Sequence, residues 1–315
     1  MDIGFARKCQ RAHPRAYWGE PFPIASSTLM SHFFRFLAAL GLMLGLFSEA
    51  ADPIKIVLVA GTVKEVAKPG HHDYTGGCEV MKHLLEQTKG VSVSYIKEGW
   101  PQGETVFDDA NAIVFYTDGG GKQAYLASPE RITVIQKQID RGVGLVSIHQ
   151  AVEFPPQLAK QAGEWMGAVY NKVLSGRGHW DSKHETFPEH PVTRGVTPWA
   201  LNDGWLNRFK FDTGMAGVTP AVWSGKEHLG SPKGGTKDVV SWTFDHADGG
   251  HSFNFSGLDA HFAWEFEGAR KLMTNGILWA AKADIPESGA PCAADKALVD
   301  SLETPRTAPP KKAKK

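Results

Sequence analysis

The chain has 315 residues, with 34 basic and 34 acidic side chains and no net formal charge. That balance argues against a nucleic-acid binder, which carries a clear basic excess. With 42% hydrophobic residues and ten Trp there is ample material for a packed core, and the length permits one large domain or two small ones.

Residues 36–47, FLAALGLMLGLF, form an unbroken apolar stretch. It is short for a bilayer span, which takes about 20 residues. Met30 and Arg35 precede it and SEAADP follows, with Ser48 and Ala50 in a small-x-small arrangement. This is the pattern of a secretory signal peptide cut after Ala50. Residues 1–50 are therefore read as an over-extended start plus a signal peptide, the true start being Met30. A buried helix or a membrane anchor is the alternative. The expectation is a secreted or periplasmic protein with no stable membrane span after cleavage.

From Ile54 the chain alternates strand-like and helix-like segments. IKIVLVA (54–60) is a buried strand. Residues 75–88 place Cys78, Met81, Leu84 and Leu85 on one helical face. VSVSYI (91–96) alternates like a strand. NAIVFYTD (111–118) is a second buried strand, ending at Asp118 and the run Gly119-Gly120-Gly121. Ser128-Pro129 opens a helix with Ile132, Ile135 and Ile139 in one stripe, and Gly142 is its natural stop. GVGLVSIHQA follows, a buried strand delivering His149 and Gln150. This β-α-β-β-α-β order with near-continuous apolar strands predicts a mostly parallel sheet with helices on both faces. Such sheets bind ligands at the carboxyl ends of their strands. The loops after Gly61, after Asp118 and at His149 should meet at one rim.

The second half is less regular. Residues 176–195 read as a long polar loop, and WLNRFKF, PAVWSG, DVVSWTFDH and HSFNFSG as short strands, partly antiparallel. A last helix covers about 263–281. Residues 54–282 are read as one domain. Residues 283–315, rich in Pro, Ala and Lys and closing on PPKKAKK, are read as a disordered tail.

Four His-bearing groups sit at predicted loop ends: His71, His72 and Asp73; His149; His179, Asp181 and His184; and Asp259 with His261. Two chemistries fit. Neutral imidazoles with a carboxylate can hold Zn²⁺ or a similar ion, with His72, His149, His179 and His261 as ligands. Alternatively, His and Asp form a metal-free acid–base pair. The sequence itself identifies no cofactor. His71, His83, His190, His228 and His246 are read as ordinary surface or hydrogen-bonded residues. Gly119 to Gly121 match no phosphate-loop motif and read as a tight turn beside the ligand edge. Tyr74, Trp180, Trp205 and Trp264 could stack on a sugar ring, though each alone is more often filler. Cys9, Cys78 and Cys292 make neither a disulfide framework nor a cysteine metal site.

KIVLVAG, GHHDYTGGCEVMKHLL, DDANAIVFYTDGG, GVGLVSIHQA, EHPVTRG, GLDAHF and RKLMTNGILWAA occur in this order. The series resembles the trehalose-utilization, or ThuA-like, family over nearly all of residues 54–282. The resemblance implies a flavodoxin-like fold related to class I glutamine amidotransferases. In those enzymes a nucleophilic Cys occupies the sharp turn after a central strand, where His149 stands here. No Cys lies near it in sequence, so glutamine hydrolysis is not expected. The resemblance implies carbohydrate catabolism: a disaccharide or 3-keto-glycoside, and hydrolysis, elimination or isomerisation. On this reading His149, His72 and Asp73 are catalytic, with Asp73 orienting His72. His261, Gly119, Gly120, Gln150 and Tyr74 contact substrate. The partners expected are a small-molecule carbohydrate and further copies of the chain. A non-catalytic carbohydrate- or protein-binding module on the same rim is the alternative, and a Lys-rich tail docking to an acidic surface is a third reading.

Overall fold

A computed structural model describes residues 52–64, 68–211, 215–224 and 239–307. The expectations for residues 1–50 and for the last eight residues lie outside the described residues. In chain order the elements are β1 (Ile54–Ala60), α1 (Tyr74–Leu85), β2 (Val91–Ile96), β3 (Ala112–Tyr116), α2 (Pro129–Asp140) and β4 (Gly144–Ile148). There follow α3 (Ala159–Met166), β5 (Ala168–Val169), β6 (Gly176–His184), β7 (Trp199–Asn207), β8 (Lys210–Phe211) and β9 (Val218–Trp223). The chain then forms β10 (Val239–Asp245), β11 (His251–Phe255), α4 (Glu267–Ala280) and α5 (Lys296–Ser301). Among the described residues no helix is long and apolar enough to cross a membrane.

Seven strands pair in the order β2-β1-β3-β4-β11-β10-β9. The first five are mutually parallel, and β10 and β9 close one edge antiparallel. The period-2 alternation of a strand explains how β1 serves two cores. Ile56, Leu58 and Ala60 join α1 and α4 on one face. Val57 and Val59 join Ile135, Ile139 and Trp165 of α2 and α3 on the other. Helices on both faces of a mostly parallel sheet are the architecture expected from the sequence.

Local chemistry sets the helix ends. Ser128 accepts from the Arg131 amide and Pro129 stands at the first helical position of α2. Asp73 caps α1 by accepting from the Gly76 amide.

Two expectations are corrected. Residues 176–184 are not loop but β6, paired antiparallel with β7 over nine residues. Its alternation turns Trp180, Ser182 and His184 inward, and polar residues between them had masked it as a loop. Residues 284–307 are not a disordered tail. Ile285, Ala290, Cys292 and Val299 are buried, α5 follows, and the Thr304 amide donates to Asp73. Spaced single apolar residues anchor this strap to a core already built, a pattern that needs no periodicity of its own.

His184 is buried against Trp199 and Trp205, with ring centroids 4.5 and 5.2 Å away, and its Nδ1 faces the Trp223 carbonyl at 3.0 Å. Burial pushes its pKa down to about 4. The unfolded chain takes up a proton there as pH falls below about 6.5, and the folded chain refuses it until about 4. Stability is therefore lost as pH falls through that window. We expect His184→Gln to remove about one proton of uptake on unfolding near pH 5, seen as a flatter stability–pH curve in urea titrations.

Candidate active site

Four neighbouring parallel strands deliver the site. The loop after β1 carries His71 and His72, β3 leads to Asp118, β4 leads to His149, and β11 leads to Asp259. β6 adds His179 from above the rim. His72 and His149 both hold positive φ, 50° and 55°, as does Leu258 at 66°. Such values are uncommon outside glycine and cost of order 1–3 kcal/mol each, so the surroundings must enforce them. The strained residue at His149 marks an abrupt turn from β4 into a short 3₁₀ helix over residues 149–152.

Asp259, 1% exposed, is the hub. Its Oδ2 lies 2.7 Å from His71 Nδ1 and 2.7 Å from His179 Nε2. Its Oδ1 lies 3.0 Å from His72 Nε2 and 3.4 Å from His149 Nε2. Burial raises the Asp259 pKa, but His149, His71 and His72 together hold it well below the usual carboxylate range.

Each first neighbour has its own anchor. His72 Nδ1 meets Asp118 Oδ1 at 3.1 Å and the Tyr74 hydroxyl at 2.6 Å, and that hydroxyl donates to Asp118 at 2.6 Å. Burial disfavours the His72 cation, yet Asp118 and Asp259 outweigh this and lift its pKa to about 9. The His72 hydrogen bond in turn holds Asp118 at about 2. His149 is buried, and burial pushes it below its ordinary value despite the adjacent Asp259. Its Nδ1 faces the Ser256 carbonyl at 3.3 Å.

Asp203 on β7 fixes the loop that carries Asp259. It accepts from the amides of Leu258 at 2.7 Å, Ala260 at 3.0 Å and Gly204 at 2.8 Å. Burial lifts its pKa to about 7. A methyl at Gly204 would stand 2.6 Å from the Asp259 Cβ, so this strand must pass the loop without a side chain. Tyr116 adds a hydrogen bond to the Leu258 carbonyl.

Two cavities of about 300 Å³ open on the centre and share His72, Gln150 and Arg177. One is lined by His149, His179, Trp205 and Asp259. The other holds Tyr74 and Asp118 beside Lys64, Lys68, Lys122 and Arg306.

The sequence-predicted residues divide accordingly. His72, His149, His179, Gln150 and Tyr74 come together at the cavities. Asp73 and His261 do not face them: they pair with each other at 2.9 Å, fully buried. Asp73 also accepts from the Gly76 and Thr304 amides, and His261 Nε2 lies 2.8 Å from the Val299 carbonyl. Asp73 thus holds the loop and the C-terminal strap, and His72 is oriented by Asp118 instead. Gly119 and Gly120 turn against residues 150–153, with the Gly120 amide donating to the Glu153 carbonyl at 2.7 Å. They shape the His149 turn from behind. His71, read as an ordinary surface residue, binds the hub. Asp118 and Asp259 were visible at strand ends without being assigned roles, although the strand-end argument made for His149 applies to both. Asp203 lies inside β7 and gave no signal.

Residues 57–280 match the ThuA family, described as trehalose utilisation. The chain belongs to that family. A ThuA-like protein from Bacteroides uniformis ATCC 8492 superposes with a TM-score of 0.54 at 11% identity, over 78% of this chain and 97% of that one. Another, from Parabacteroides merdae ATCC 43184, gives a TM-score of 0.50 at 17% identity, over 76% and 95%. Comparison with curated proteins gives no match. ThuA membership agrees with the family resemblance read in the sequence, and the shared fold agrees with the parallel sheet.

The Asp73–His261 pair makes a direct prediction. Breaking a buried pair strands the remaining partner, at a cost of about 3–5 kcal/mol. We expect Asp73→Ala and His261→Ala each to destabilise the chain by about 3 kcal/mol in urea unfolding, and the double variant to cost clearly less than the sum.

Proposed function

We propose that this ThuA-family chain is an enzyme of carbohydrate catabolism that acts on a disaccharide or 3-keto-glycoside by proton transfer at the Asp259 centre. The observation that carries this reading is the convergence of four imidazoles on one buried carboxylate beside two ligand-sized cavities. A keto sugar suits the arrangement. Its carbonyl acidifies the neighbouring C–H. Removing that proton leaves an enolate, and its electron pair can then expel the glycosidic oxygen from the next carbon, which leaves with a proton. Lys122 and Arg177 line the cavity where the enolate oxygen would form, and preplaced cations stabilise such charge. His149 and His72 are the residues assigned to the chemistry, as acid–base groups or as ligands of an ion, with Asp118 and Tyr74 orienting His72.

A glutamine amidotransferase reaction is disfavoured on this reading. The two cysteines among the described residues, Cys78 and Cys292, are buried, and burial raises both thiols, the opposite of an activated nucleophile. We also propose export of the chain, on the strength of the apolar stretch at 36–47.

The test is an assay of oxidised disaccharides with the purified chain. Wild type should release product, and His149→Ala and Asp259→Asn should each lower kcat at least a hundredfold, the range of acid–base loss. Saturable sugar binding without product would replace this reading with that of a binding module.

A further inference from the structure

The hydrogen-bond inventory of His149 does not close. A neutral imidazole has one N–H and one lone pair. If Nδ1 carries the hydrogen, it is donated to the Ser256 carbonyl, and the Nε2 lone pair faces Asp259 Oδ1 at 3.4 Å. If Nε2 carries it, the Nδ1 lone pair faces the carbonyl. In either tautomer a lone pair points at an oxygen. His149 Nε2 and Asp259 Oδ1 are both buried without a hydrogen-bond partner. His72 Nε2 stands 3.0 Å from the same Oδ1 but does not satisfy it as an aligned hydrogen bond. Three ligand-type atoms thus crowd together without a closed set of hydrogen bonds, an arrangement that calls for an explanation and that one shared cation would satisfy.

We propose that His72 Nε2, His149 Nε2 and Asp259 Oδ1 bind one divalent transition-metal ion of the Zn²⁺ class. The three atoms lie within 4.8 Å of one another. A tetrahedral ion bonded at about 2.0–2.1 Å holds its donors about 3.3 Å apart, close to the 3.0 and 3.4 Å contacts here. Two His and one carboxylate leave a fourth position open, the mark of a catalytic rather than a structural zinc site.

The surroundings match what such ligands require. A metal-bound His donates its other N–H to a carboxylate or a backbone carbonyl. His72 has Asp118, and His149 has the Ser256 carbonyl. The second oxygen of the ligand carboxylate is fixed by His71 and His179. His261 is excluded by position: it lies against Asp73 and the Val299 carbonyl and lines neither cavity. The site shares the rim of the proposed enzyme but does not depend on that enzyme turning over a sugar.

The experiment uses the untagged full chain, stripped with chelator and titrated with Zn²⁺ by calorimetry, then with Co²⁺ by visible absorption. We expect one equivalent of Zn²⁺ per chain, Co²⁺ bands of a four-coordinate site, and a rise in Tm with metal. His149→Ala and Asp259→Asn should weaken binding more than a hundredfold. Asp118→Ala should weaken it at least tenfold, as removal of an outer partner does. His83→Ala, on the far end of α1, should leave binding unchanged. If His149→Ala misfolds by circular dichroism, His149→Gln serves in its place. No saturable Zn²⁺ or Co²⁺ binding, or binding that survives loss of His149, overturns the proposal. Metal bound at one equivalent with no sugar turned over would retain the site and sink only the enzyme reading.

Discussion

A carboxylate with 1% of its surface exposed has to be neutralised or partnered, and Asp259 has two imidazoles within 3.4 Å of each oxygen. This single requirement organises the upper edge of the sheet. The chain that follows β11 cannot leave the sheet freely, because Asp203 grips it through the Leu258 and Ala260 amides. β7 must approach within contact of Asp259, so position 204 has no side chain. The loop after β1 is stitched to the same segment: the His72 amide donates to the Asp259 carbonyl at 2.8 Å, and the His261 amide to the Gly70 carbonyl at 2.6 Å. Backbone and side chain thus bring the imidazoles to Asp259 together.

Positive φ at His72, His149 and Leu258 is the conformational cost of that convergence. Each strained residue is flanked by a rigid element. His149 follows β4, the fourth of seven strands, which is paired on both sides by β3 and β11. A central strand with two neighbours can enforce a sharp turn that an edge strand would relax. The sheet therefore supplies the stiffness, and the loops supply the chemistry.

The sheet was readable because parallel strands buried on both faces leave near-continuous apolar runs, as in VLVA, AIVFY and GLVSI. β6 was not, because its outward face carries Arg177, His179, Asp181 and Lys183, which dilute a single inward stripe. At the site, His149 and His72 stood out through their place at strand ends. Asp259 and Asp118 stand at equivalent ends, but an Asp after a strand is also an ordinary turn residue. Whether it turns the chain or gathers ligands depends on what the neighbouring strands deliver, and strand order is not written in local sequence. His71 and His72 illustrate the limit. Adjacent in the chain, they reach opposite oxygens of the same carboxylate, a distinction that only the three-dimensional path of the loop creates.

The Asp73–His261 pair shows why residue type alone misplaces function. A buried His–Asp contact at 2.9 Å has the look of a catalytic dyad. Here each partner's remaining capacity is used by backbone: the Gly76 and Thr304 amides on Asp73, and the Val299 carbonyl on His261. Asp73 pKa is lowered and His261 pKa is raised, burial opposing both shifts, as in a closed ion pair. A pair that lines neither cavity has nothing to offer a substrate. Its work is to clamp the loop after β1, the loop before α4 and the C-terminal strap at one point. His149 is the opposite case. It is equally buried and sits beside an equally buried carboxylate, but both groups line an open cavity. The difference between the two pairs is access to that cavity, and access separates a structural clamp from a site that still has a bond to make.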